Sequence, residues 1–192
     1  MSVNLITTVQ QNLGYPPLHK IDPNTNGEHH VEDQFSQVAI PAVLTALYRY
    51  VQSDEGAVAI LNGENEPGWV TRIFNDHIED VVQTICSYAS EEGAEPVAAM
   101  NRIANEAVKI ANTQLPANAG IKDVKLFFRG QRNNILPYLP AALHMGEWLN
   151  DETLDDNTNK MEGPVSSMMK GIASVFSTPV TDEEIKKKED NY

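Results

Sequence analysis

The chain has 192 residues, 41% of them apolar and 7% aromatic, with 27 acidic against 14 basic side chains and a formal net charge of −13. That apolar share excludes a wholly disordered chain, and the length is enough for one domain with a buried core. The acidity argues against nucleic acid and anionic lipid, which are bound through clustered Lys and Arg, and the single Cys86 excludes an internal disulfide or a Cys-rich zinc site.

Residues 1–9 hold no Lys or Arg, and their apolar stretch is interrupted by polar residues, so no secretory signal is expected. No run approaches the roughly 20 apolar residues of a membrane helix; the longest, 38–47, is about half that and contains Pro41. With an unpaired Cys and no leader, the expected compartment is the cytoplasm.

Leu5, Ile6, Val9 and Leu13 recur at helical spacing, and Gly14 stands where a C-terminal glycine belongs. Residues 15–27 carry only turn signals, Pro16-Pro17 and then Asp22-Pro23-Asn24-Thr25-Asn26-Gly27. A second helix is predicted over 33–52, with Phe35, Val38, Ala42, Leu47 and Val51 along one side and Pro41 as a kink or a first turn. Asp54 is expected to cap a short helix that runs to Leu61 and ends at Asn62-Gly63.

Pro67 opens the most strongly periodic segment, read as one helix over 67–90. At 100° per residue, Val70, Phe74, Ile78, Val81, Ile85, Tyr88 and Ala89 fall within an arc of roughly 100°. Pro96 starts the next helix, where Val97, Met100, Ile103, Ala104, Ala107, Val108 and Ala111 keep the period. Pro116 and Gly120 separate it from a helix over 121–132, and Pro137 and Pro140 lead to another that ends near Trp148. Residues 150–159 read as an acidic surface loop. Gly163-Pro164 opens a last amphipathic helix with Val165, Met168, Met169, Ile172, Val175 and Phe176, and a charged tail follows Pro179. No segment alternates in the way a strand requires.

Each of the five histidines is followed three positions later by an acid: His19/Asp22, His29/Glu32, His30/Asp33, His77/Asp80 and His144/Glu147. On a helix such a pair shares a face, where it holds a divalent ion or forms a charge-assisted hydrogen bond. His77, Asp80, His144 and Glu147 are therefore the candidate metal ligands, although the order is the reverse of the Glu-x-x-His of ferritin-like di-iron bundles. Surface ion pairs are the simpler account of the same spacing. Cys86 lies roughly opposite His77 on the wheel and lacks an activating base nearby in sequence. The chain has no Gly-x-Ser-x-Gly elbow, phosphate-binding glycine loop or dinucleotide fingerprint. No catalytic residue is assigned and no cofactor is expected, a divalent metal being the alternative.

Lys122, Lys125, Arg129 and Arg132 project within roughly 80° of one another, beside an apolar side made by Val124, Phe127, Phe128 and Gln131. On so acidic a chain this stripe is a candidate docking face for an acidic partner or phosphorylated ligand. It is also placed to bind the chain's own acidic loop, Asp151, Glu152, Asp155 and Asp156, or to stand as a solvated helix face. Trp69 and Trp148, near helix ends, are expected to close the bundle, and Met161, Met168 and Met169 to serve as core or as an adaptable groove.

The stretch Leu126-Phe127-Phe128-Arg129-Gly130-Gln131, followed by Ile135-Leu136-Pro137-Tyr138-Leu139-Pro140-Ala141-Ala142-Leu143, resembles the YidB-like bacterial helical domains of unknown function. There a small-residue/Gln step precedes an apolar helix start and a Leu-Pro-Ala/Ser-x-Leu turn. The resemblance covers about residues 80 to 150. It implies a helical fold and, because the family has no established reaction, no catalytic residues.

The reading that follows is all-α: a single bundle of about six to eight helices over 1–177 with a flexible charged tail over 178–192. Its expected role is a non-enzymatic cytoplasmic interaction or structural module. The basic helix face, Lys122, Lys125, Arg129 and Arg132, would meet a protein partner or a second copy of the chain, without nucleic acid or membrane. The alternative is a metal-dependent enzyme or metal-binding bundle.

Overall fold

Caps and turns decide where the helices begin and end. In a computed structural model that describes residues 3–21, 34–63, 68–89 and 95–149, every regular element is helical and no strand occurs among the described residues. The chain parts into a unit Met1–Asp156 and a second, Asn157–Tyr192. The second unit lies outside the described residues, as do the acidic loop, the Met-rich helix, the expected boundary at 177, His29 and His30.

Helix α1 (Leu5–Asn12) starts at Asn4, whose side chain accepts from the Thr7 N–H, and is closed by Gly14 at φ 71°. Helix α2 (Gln34–Tyr50) contains Pro41 in its interior. Helix α3 (Asp54–Asn62) is capped by Ser53 rather than Asp54: the Ser53 Oγ accepts from the Gly56 N–H at 2.9 Å, and Asp54 is the first helical residue. It ends on Gly63 in the left-handed region that glycine occupies without steric cost.

The helix expected over 67–90 is broken. Helix α4 (Trp69–Phe74) stops at Asn75, a 3-10 turn covers Asn75–His77, and helix α5 (Ile78–Ala89) follows. Asn75 has φ 48° and ψ −124°, a conformation that normally belongs to glycine. The break changes the phase between the two halves. Val81, Ile85 and Ala89 are buried, whereas Tyr88, expected in the apolar arc, is 43% exposed. Helix α6 (Pro96–Gln114) has Pro96 in its first turn, as the missing N–H of proline favours. Helix α7 (Ile121–Ile135) runs three residues past Arg132, and its first turn is tied by the Gly120 N–H donating to the Asp123 carboxylate at 2.8 Å. Two further 3-10 turns, Leu136–Tyr138 and Ala141–Leu143, lead to α8 (Met145–Leu149).

Helix α2 is the axis of the fold. It packs against α1, α4, α5, α6, α7 and α8, and every residue from Phe35 to Leu47 is buried, Ser36, Gln37 and Thr45 included. The expected one-sided helix is thus buried on all faces, as a helix wrapped by others must be. Of its buried polar side chains, Ser36 and Gln37 have partners, and the Thr45 hydroxyl has none. Gln37 clamps the segment that follows α1, accepting from the His19 N–H at 2.8 Å and donating to the His19 carbonyl at 2.7 Å. Gln131 on α7 does the same for the N-terminus, accepting from the Leu5 N–H at 2.9 Å and donating to the Val3 carbonyl at 3.0 Å. Each buried amide supplies one donor and one acceptor to main chain that has no helical neighbour there.

Candidate functional site

The buried side of α7 is made by Val124, Phe128, Gln131 and Ile135. Those four fall within about 60° on the wheel, and the Gln131 amide is bonded to the N-terminal main chain, so the rotation of α7 about its axis is fixed. The opposite side is fixed with it. Lys122, Leu126 and Arg129 lie within roughly 60° of each other on that outer side, all three are exposed, and Leu126 is 70% exposed.

The remaining two cations of the stripe sit on the shoulder between the two sides and are half-buried. The Lys125 ammonium donates to the Asp54 carboxylate at 2.6 Å across the packed pair α3 and α7. Arg132 also has an interaction of its own. Arg129, though exposed, donates through Nε to the Gln52 Oε1 at 3.1 Å. The stripe is therefore split. Lys125 is drawn to the junction of α2 and α3, and the outward-facing set is Lys122, Leu126 and Arg129. Leu126 was absent from the cations read in the sequence, yet its signal was there: it stands four residues after Lys122 and three before Arg129, inside the polar sector of an otherwise regular amphipathic helix.

The four candidate metal ligands do not form a comparable cluster. His77 closes the 3-10 turn before α5 instead of lying within a helix, and its ring rests against Trp148, with centroids 5.4 Å apart and planes tilted by 57°. His144 has φ 48° and ψ 40°, so it precedes α8 in a left-handed conformation and the shared-face argument for His144 and Glu147 fails. Asp80 and Glu147 are exposed. Among the described residues no three His, Cys, Asp or Glu side chains gather closely enough to hold one ion. Cys86 is half-buried on α5.

A groove of about 420 Å³ lies between α1 and the segment that follows it, with Ile6, Leu18, Pro17 and Tyr138 as apolar walls and Thr7, Gln10 and Gln11 at its edge. Among the described residues its lining holds no carboxylate, imidazole, thiol or ammonium group, and the Gln10 amide is engaged by the Tyr15 carbonyl.

Among the described residues no helix is long and apolar enough to cross a membrane. No protein-family model matches the chain, and neither the curated proteins nor the solved structures contain a match to it.

Proposed function

We propose that this chain is a non-enzymatic, cytoplasmic interaction module that docks an acidic protein surface on the outer side of α7. The observation that carries the reading is Leu126, a large apolar side chain 70% exposed between Lys122 and Arg129. A lone exposed leucine is common and needs no explanation. Here it is flanked by two exposed cations on a chain of net charge −13, so that one patch offers an apolar contact and the opposite charge to the rest of the molecule.

Full burial of a leucine contributes about 1.5–3 kcal/mol. The flanking cations add attraction over distance and reject basic surfaces, which is specificity more than affinity. Because α7 is held by Gln131 and by the Lys125–Asp54 pair, the patch is preorganised and loses little freedom on docking. The resemblance to YidB-like domains, in the same stretch of sequence, belongs to this proposal and agrees with a role without catalysis.

The test uses the full chain as bait, wild type against a Lys122→Glu, Leu126→Asp, Arg129→Glu triple variant, with circular dichroism to establish that both are folded. Partners held by the wild type should be lost from the variant and be released by salt. An identical set of partners on both baits would overturn the reading.

A further inference from the structure

We infer that the acidic partner is a second copy of this chain, whose α5 face docks on the outer side of α7, so that copies associate head to tail. This rests on the reading of α7 given above and adds the identity of the partner and of its surface.

Charge is segregated along the sequence. Between Arg72 and Arg102 stand six carboxylates, Asp76, Glu79, Asp80, Glu91, Glu92 and Glu95, and no Lys or Arg. Residues 107–146 hold five Lys and Arg and a single carboxylate, Asp123, which is engaged at the first turn of α7.

The two regions meet where α5 packs on α6 and on the 3-10 turn Ala141–Leu143, whereas the exposed Lys122 and Arg129 stand on α7. Helices α5 and α7 both pack on α2 and do not form a packed pair with each other. The carboxylates of α5 are therefore not placed to neutralise α7 of the same chain. Asp76, Glu79 and Asp80 are exposed, and Gln83 and Ser87 extend that face without a basic group. Tyr88, 43% exposed and about 80° around the helix from Asp80, gives Leu126 of the other copy an apolar counterpart. Cations flanking an apolar side chain on one helix thus match carboxylates beside a half-exposed ring on another.

Contact between two different faces closes as a reciprocal dimer or a ring where the rotation allows, and otherwise leaves one free α5 and one free α7 at the ends of a growing chain. The expected signature is self-association to a dimer or larger species. The pairing is between exposed groups, so salt should dissolve it as the screening length falls from about 30 Å near 0.01 M to about 3 Å near 1 M.

Sedimentation of the full chain decides the matter. The wild type should exceed monomer mass at low salt, increasingly with concentration, and return to monomer at high salt. Two folded variants, Lys122→Glu with Arg129→Glu and Glu79→Lys with Asp80→Lys, should each associate about tenfold or more weakly alone. Mixed, they should recover association, because each reversed face then meets its opposite. A wild type that stays monomeric at low salt, variants that associate as well as the wild type, or a mixture that recovers nothing would each overturn the inference. A monomeric wild type whose α7 triple variant still loses a captured acidic protein leaves the α7 reading standing. If the α7 variant neither associates differently nor loses any partner, both fall.

Discussion

Replacing Gln131 by alanine should destabilise the protein far more than a single surface-helix substitution does. The side chain is 4% exposed and bonds two main-chain groups, accepting from the Leu5 N–H at 2.9 Å and donating to the Val3 carbonyl at 3.0 Å. Val3 is half-buried, so its carbonyl can turn to water, but Leu5 is 0% exposed and its N–H would be left without a partner. An unsatisfied buried donor costs about 1–3 kcal/mol, and the space of the missing carboxamide adds about 1 kcal/mol. The sum, about 2–4 kcal/mol, is a large part of the roughly 5–15 kcal/mol that holds an ordinary domain together. Urea denaturation should show the midpoint falling with the slope unchanged, and the Leu5 amide should lose its protection from hydrogen exchange. Gln131→Glu keeps the volume and the acceptor but removes the donor and buries a charge, so it should not rescue stability. A Gln131→Ala protein within about 0.5 kcal/mol of wild type, the range of ordinary surface changes, would refute the clamp.

Three other substitutions follow from single positions. Gly56→Ala would place a Cβ 2.8 Å from the Tyr50 carbonyl carbon and nearer still to its oxygen, so α2 and α3 must move apart at their junction; thermal denaturation should report a loss of about 2 kcal/mol or more. Asn75→Gly should stabilise, because strain of about 1–3 kcal/mol at φ 48° and ψ −124° outweighs the roughly 0.5–1 kcal/mol entropic cost of glycine; a lower melting temperature would contradict that. Thr45→Val replaces a buried hydroxyl that has no hydrogen-bond partner with a methyl group of similar shape, and should raise stability by about 1 kcal/mol in chemical denaturation.

The helix ends at Gly14, Gly63 and Pro96 were legible in the sequence because the signals that set them are local: a left-handed glycine or a first-turn proline acts on its own turn. The break at Asn75 was not. Val70, Phe74, Ile78 and Val81 keep a helical period straight through it, and the backbone reversal leaves no mark in the apolar pattern. The burial of Ser36, Gln37 and Thr45 on α2 left no mark in the apolar pattern, because it is set by the helices that wrap α2 and, for Gln37, by the remote backbone of His19. The same limit shaped the site. The wheel places all four cations in one sector, but only the fold brings Asp54 to Lys125 and Gln52 to Arg129, leaving Lys122, Leu126 and Arg129 as the outward set. For the histidines, the i, i+3 rule presumes a helix, and the left-handed backbone at His144 removes that premise.

The central claim, that the outer side of α7 is the docking face, is tested most directly by a photoreactive side chain at position 126, with the same group at Val97, an exposed apolar position on α6, as the control. At low salt the probe at 126 should capture an acidic protein surface, yield should fall with added salt and with Lys122→Glu and Arg129→Glu, and the probe at 97 should capture little. Equal capture at the two positions, or capture at 126 that ignores both salt and the flanking charges, would contradict it.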